Sequence, residues 1–348
     1  MISTRNLTKS FGSLVALDAL TLDIGPGEIF GFIGPNGAGK STTMKILAGL
    51  TRPTSGKASV AGLDCETRME DIRRVIGYMP DFLGVYDDLT VHEYLGFFAA
   101  AFKIPRIERA KTIDGVLELT DLREKRDAMV DSLSRGMQQR LGVARVLLHD
   151  PKVLLLDEPA SGLDPRARIE MRSLLQELGR MGKTLMVSSH ILSELGEMST
   201  CIGIIERGRL LYFGSMADAF KRTRELGGHE RVDVLLRVVP GGQSAQSIAD
   251  RLTLSESIRA ARVVKSPPNA SVAALAESAV VSSSNGAAPE PSPFSTVEGL
   301  EIELHPGVHD HGFVIDEICK AGGRILRFDA HQIKLEDAFL KLTTGALQ

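Results

Sequence analysis

Residues 34–41 read GPNGAGKS, between an apolar run (EIFGFI) and a helix-like one (TTMKILAGL). Glycine at this density weakens helix and strand alike, so the segment favours close approach of bare backbone. A phosphate is the ligand such a turn suits. Successive backbone N–H groups point inward at the anion, and the following helix presents its positive end. The G-x-x-x-x-G-K-[ST] spacing adds Lys40, to reach the β- and γ-phosphates, and the Ser41 hydroxyl, to ligate Mg²⁺. The cradle comprises Gly34, Pro35, Asn36, Gly37, Ala38, Gly39, Lys40, Ser41 and Thr42.

A second cluster lies at 152–165, KVLLLDEPASGLDP, where an apolar strand ends in Asp157 and Glu158. A carboxylate at a strand end can hold Mg²⁺ through water, and one residue further on it can polarise water for attack on phosphorus. Ser188, Ser189 and His190 follow another apolar strand and place polar groups near the same edge. Between the clusters, DSLSRGMQQRLGVARVLL puts a Ser-x-Gly turn at the start of a long helix, a second anion-binding arrangement. No N-K-x-D guanine-reading motif is present, which weighs against a GTPase.

These residues need strands and helices to hold them. EIFGFIG, VIGYM, KVLLLD and KTLMVSSH read as strands, and helical spacing runs through the segments between them. Such alternation predicts an α/β domain with a mostly parallel sheet covered on both faces, plus an antiparallel piece near TLDIGPGEIF. Composition changes after about residue 225, and the Ser-, Ala- and Pro-rich stretch at about 266–297 reads as a flexible insertion. The segments around it follow the order β-α-β-β-α-β plus a last helix, predicting a small ferredoxin-like α+β domain over 226–348.

The 348 residues suffice for two domains with their own cores. A net charge of −3 with 43% hydrophobic residues argues against a generic nucleic-acid binder or a disordered chain. Cys65, Cys201 and Cys319 are far apart and are expected to be buried, reduced thiols. The N-terminus lacks the apolar core of a signal peptide, and no run approaches the ~20 apolar residues of a membrane span. YLGFFAAAFKI (94–104) is expected to be a buried helix, and the chain is not expected to enter a membrane by itself.

In combination the motifs resemble the ATP-binding subunit of ABC transporters. The match comprises a Walker A at 34–41, a signature-like LSRGM at 133–137 and a Walker B at 153–157. Glu158, an SGLD D-loop ending in Asp164 and a switch histidine at His190 follow in the family's order, covering roughly 2–220. The resemblance implies a P-loop ATPase domain over 1–225 with a helical subdomain at about 82–150, and ATP and Mg²⁺ as cofactors. It implies a head-to-tail dimer with a second ATP-binding subunit, Ser134 and Gly136 of one chain meeting the γ-phosphate held by the other. Phe11 matches the aromatic that stacks on adenine, Glu158 the catalytic base, and His190 the group that holds the γ-phosphate. Ser41, Asp157 and Asp81 would face Mg²⁺.

Two departures stand out. Arg135 and Met137 occupy positions where the signature usually has Gly and Gln. Asp81 occupies the Q-loop position, where a Gln usually joins Mg²⁺ to the transmembrane partner; the aspartate is shorter and adds a negative charge. The single motif set and the absence of sustained heptads argue against the tandem translation factors and the chromosome-organising ATPases. Phe82, Tyr86, Tyr94, Phe97 and Phe98 are expected as core or partner-contacting residues of the helical subdomain, and KLEDAFLKLTTG resembles the tail of the bacterial export-type branch. The expectation is an ATPase at the cytoplasmic face of the membrane that drives a separate multi-spanning permease for export, with no nucleic-acid partner. The alternatives are an importer ATPase, or a soluble ATPase acting on RNA, DNA or ribosomes.

Overall fold

The computed structural model describes residues 1–82, 84, 88–225, 231–238, 244–264, 296–305, 308 and 311–331. Tyr86, nearly all of the expected insertion at 266–297 and the tail at 334–345 with its expected last helix lie outside them. The chain divides into two compact units, one spanning Met1–Ala219 and the other Phe220–Ala338.

The first unit begins β1 (Ile2–Phe11), β2 (Leu14–Ile24), β3 (Ile29–Ile33), α1 (Lys40–Leu47), β4 (Ser55–Val60), β5 (Leu63–Asp64), α2 (Met69–Val75) and β6 (Ile76–Met79). Helices α3 (Val91–Ala101), α4 (Arg106–Leu119) and α5 (Arg135–Leu147) follow. The chain then returns to the sheet through β7 (Val153–Leu156), α6 (Pro165–Arg180), β8 (Thr184–Ser189), α7 (Leu192–Gly196), β9 (Cys201–Glu206) and β10 (Arg209–Gly214), and α8 (Met216–Glu225) leads out.

Strands β1, β2, β4 and β5 form the antiparallel sheet, in the order β2-β1-β4-β5. The second sheet runs β10-β9-β3-β8-β7-β6, parallel except for β10. Every residue of β3, β7 and β8 is buried, as strands covered on both faces require. Leu7, Leu20, Phe30, Phe32, Met44, Ile46, Val60 and Leu155 pack into one core joining the two sheets and α1.

Register decides what meets at the sheet edge. Ile33 pairs with Ser189 and Leu156 with Val187, so β3, β8 and β7 end side by side. The glycine loop, the acidic pair and His190 all follow these ends, the crevice where open α/β sheets bind ligands.

Helices α3, α4 and α5 pack on one another. Thr90 and Glu93 form a reciprocal capping box that starts α3, satisfying two otherwise orphaned donors. The expected aromatic stripe splits. Tyr94 is fully buried whereas Phe97 is 53% exposed, so α3 buries one face rather than its whole circumference, and Phe82, ahead of the helix, is 84% exposed. Among the described residues no helix is long and apolar enough to cross a membrane.

The second unit comprises β11 (Arg231–Val238), α9 (Ala245–Leu252), β12 (Ile258–Val264), β13 (Thr296–Leu304), α10 (Gly312–Lys320) and β14 (Arg324–His331). Its sheet runs β12-β13-β11-β14 with every pairing antiparallel, the strand order of a ferredoxin-like fold. Alternate residues Val232, Val234, Leu236, Leu300, Ile302 and Leu304 face Ile248, Leu252, Val314 and Ile318 of the helices. One expectation fails here. Cys65 is buried and Cys201 partly so, but Cys319 is exposed, because Val314 and Ile318 occupy the inner face of α10.

Candidate functional site

The glycine loop is pinned from outside. A Cβ on Gly34 would stand 2.3 Å from the Ile205 carbonyl oxygen, and one on Gly39 2.7 Å from that of Ala16. Gly37 and Gly39 have φ of 79° and 113°, a region that L side chains rarely adopt. Gly39 is the N-cap of α1 and offers no capping side chain, which leaves the first-turn N–H groups to an anion.

Lys40 is 4% exposed, and its Nζ donates to the carbonyls of Gly34 at 2.6 Å and Pro35 at 3.2 Å. The same ammonium lies 3.4 Å from Glu158 Oε1. Among the described residues that buried oxygen accepts no hydrogen bond, which leaves lone pairs for a water or a cation shell.

Asp157 is 2% exposed, and its Oδ1 accepts from the Ser188 hydroxyl at 2.6 Å. Ser188 Oγ in turn accepts the Glu158 N–H at 2.9 Å, so one hydroxyl holds both members of the acidic pair. Glu158 has φ of 51°, a strained conformation for a side chain that is neither Gly nor Asn. Its carboxylate meets His190, whose Nδ1 lies 2.9 Å from Glu158 Oε2.

Asp81 follows β6 in an exposed bend. Partial withdrawal from water and the charges of Asp157 and Glu158 hold its carboxyl above the usual carboxylate range, while Arg135 and His190 pull it back. It therefore shares the electrostatic neighbourhood of the acidic pair, with no hydrogen bond to either among the described residues. Burial, followed by Asp157 and Asp81, pushes the Tyr78 phenol up to about 12, so it stays a neutral donor.

Ser41, Asp157 and Asp81 supply hard oxygen donors, which suit Mg²⁺. Among the described residues no group of three or more His, Cys, Asp or Glu could hold a metal ion alone. Mg²⁺ fits such a sparse set, since it keeps several waters and takes phosphate oxygens as ligands. Glu158 Oε1, buried and facing the Lys40 ammonium but without a hydrogen bond among the described residues, is the acceptor that a hydrated cation would satisfy.

Ser134, Gly136 and Asp164 stand elsewhere. Ser134 caps α5, its Oγ accepting the Met137 N–H at 3.3 Å, and Asp164 caps α6 through the Ala167 N–H at 3.5 Å. Among the described residues no hydrogen bond or ion pair joins any of the three to the glycine loop. Phe11 is 52% exposed at the tip of the β1–β2 hairpin, with Lys9 Nζ 4.8 Å from its ring centroid. The Ala16 carbonyl that flanks Gly39 belongs to the same hairpin.

The Ser188–His190 run at a strand end pointed to this edge, but no role was expected of Ser188 itself; the structure makes it the hydroxyl that holds the acidic pair. Together the ammonium, the open carboxylate oxygen and the imidazole can stabilise anionic oxygens and take a proton from water.

Residues 17–161 match the family model described as ABC transporter. The chain is 43% identical over 212 residues to the bacitracin transport ATP-binding protein BcrA of Bacillus licheniformis, covering 61% of this chain and 68% of that protein. It is 39% identical over 214 residues to the Nod factor export ATP-binding protein I of Burkholderia lata, covering 62% and 70%. Among solved structures, a dimeric bacterial ABC transporter cassette superimposes with a TM-score of 0.57 at 27% identity, over 62% of this chain and 99% of that one. Its post-hydrolysis state bound to ADP and Pi gives a TM-score of 0.56 at 26% identity, with the same coverage.

Proposed function

The chain belongs to the ATP-binding subunits of ABC transporters and is an ATPase, and from that premise we propose that it works as a dimer powering export through a separate membrane permease. The observation that carries this reading is the division of the site. The loop, Lys40, Glu158 and His190 are gathered at one sheet edge, whereas Ser134 caps an exposed helix start with no link to them. A second copy, docked head to tail, completes each site with its own Ser134 turn. The dimeric cassette to which the chain is similar supports such pairing.

In the proposed cycle the backbone N–H groups of 34–41 bind the triphosphate, Lys40 leaves its loop carbonyls for the β- and γ-phosphates, and Phe11 stacks on the base. Ser41 and Asp157, with Asp81 beside them, would hold Mg²⁺, which when bound neutralises charge on the phosphate oxygens. Glu158 accepts a proton from the attacking water while Ser188 fixes its backbone.

His190 has a protonation requirement in this scheme. A neutral imidazole that donates its Nδ1–H to Glu158 leaves Nε2 an acceptor only. It holds a γ-phosphate oxygen only as imidazolium or after leaving Glu158.

The export direction is supported by the relatives, named for bacitracin transport and Nod factor export. The permease would place the chain at the cytoplasmic face of the membrane. Purification from host membranes in mild detergent tests the proposal. One multi-spanning protein in equal amount, which raises the ATPase rate on reconstitution, is the expected result. Recovery with ribosomes or nucleic acid that stimulate hydrolysis instead would overturn it.

A further inference from the structure

Arg135 is the first residue of α5, and its side chain reaches the turn before α6. A Cβ on Gly162 would stand 2.4 Å from the Arg135 guanidinium carbon and 2.6 Å from both terminal nitrogens. The carbon is the nearest of the three, so the glycine meets the guanidinium over its face rather than at its edge. Gly162 also has φ of 68°, a second reason for a bare backbone there.

The contact continues along the two helices. A Cβ on Gly136 would lie 2.9 Å from that of Ala167. The buried Arg140 places Nη2 3.6 Å from Glu170 Oε2 and Nη1 2.9 Å from Asp121 Oδ2. The start of α5 is thus seated along the start of α6 at three successive levels. A glycine at position 135, as in the usual signature, could not supply the first.

We propose that Arg135 is a positioning residue of the hydrolysis reaction: by covering the bare backbone of Gly162, it makes the Ser134 turn and the loop at 159–164 move as one body, so that closure of the dimer on Ser134 sets the Glu158 carboxylate. The inference rests on the reading of Ser134 as the γ-phosphate contact of the partner site. The loop begins directly after Glu158, and the Ser161 N–H donates to the Glu158 carbonyl at 3.0 Å, so movement of the loop is passed to the base.

The test is steady-state ATPase kinetics of the full chain, with binding of a fluorescent ATP analogue measured separately. Arg135→Ala is expected to lower kcat on the order of 10-fold to 10²-fold, with nucleotide affinity unchanged. Arg135→Lys, which keeps the charge but not the planar face, is expected not to restore it. Gly162→Ala should cost less in the Arg135→Ala background than in the wild type, because the guanidinium contact is already gone and only the strain at positive φ remains. Should Gly162→Ala fail to fold, the Ala and Lys variants at 135 carry the test.

Wild-type kcat in Arg135→Ala or Arg135→Lys, beside a slow Ser134→Ala, overturns the proposal alone. So does an equal cost of Gly162→Ala in both backgrounds. Wild-type kcat in Ser134→Ala overturns the reading on which the proposal stands.

Discussion

His190 Nδ1 stands 2.9 Å from Glu158 Oε2, joining the residue after β8 to the residue after β7 at the mouth of the glycine loop. In the proposed cycle the pair lets one imidazole orient Glu158 as the base. Replacing it with His190→Ala is expected to lower kcat on the order of 10-fold to 10²-fold, the cost of a base left less well positioned. Nucleotide affinity should hold, because in the proposed cycle Lys40 and the loop, not the imidazole, bind the phosphates. A loss of affinity with unchanged kcat would assign His190 to ground-state binding instead.

Ser188 serves two masters, accepting the Glu158 N–H and donating to Asp157 Oδ1. Ser188→Ala leaves a buried carboxylate oxygen and a buried N–H without this partner, a cost of about 1–3 kcal/mol each before relaxation. The variant should melt at a lower temperature and hydrolyse ATP more slowly. Ser188→Thr, which keeps the hydroxyl, should recover part of the rate. Identical melting of wild type and Ser188→Ala would show that the bridge contributes nothing.

His149 carries a pH dependence of stability. Its Nε2 bonds the Ile76 carbonyl at 2.8 Å, its ring stacks on Phe102, and its Nδ1 is buried with no hydrogen-bond partner among the described residues. Burial holds the imidazole below its usual range, with Lys183 adding to the effect. A depressed folded-state value means that the unfolded chain binds the extra proton more readily. The stability is therefore present above about pH 6.5 and is lost as pH falls through the folded value. Thermal melts between about pH 7.5 and about pH 5.5 should show a larger drop for wild type than for His149→Gln, which can donate the same bond without titrating. Equal drops would contradict this.

The three thiols should separate under alkylation. Burial pushes those of Cys65 and Cys201 up to about 12, so neither forms much thiolate near neutrality. Cys319 is exposed on α10. Iodoacetamide at about pH 8 should label Cys319 in the folded protein and the other two only after unfolding, as read by peptide mass spectrometry. Rapid labelling of Cys65 would mean that its packing against the first core is wrong.

The sequence carried the chemistry where it is written contiguously. The glycine–lysine loop and Asp157–Glu158 are legible because backbone geometry at a strand end needs those residues next to one another. The parallel strands were equally plain, since β3, β7 and β8 are buried on both faces and read as unbroken apolar runs. Contacts that close across the chain were not legible. Ser188 meets Glu158 from 30 residues away, and the Arg135 guanidinium meets a glycine backbone that shows no side chain to pair with. Helix α4 has no clear apolar stripe, with Ile107 90% exposed and burial confined to its later turns. Cys319 shows the same limit, because which face of α10 turns inward is set by Val314 and Ile318.

The central claim is that Glu158 is the base of an ATPase that acts as a dimer. Glu158→Gln keeps the size and the contact with His190 but removes the proton acceptor. Its measurement is light scattering of the variant with MgATP, run beside a phosphate-release assay. The account predicts a nucleotide-dependent dimer that releases phosphate at least about 10²-fold more slowly than wild type. A variant that hydrolyses ATP at the wild-type rate, or that binds MgATP and stays monomeric, would contradict it.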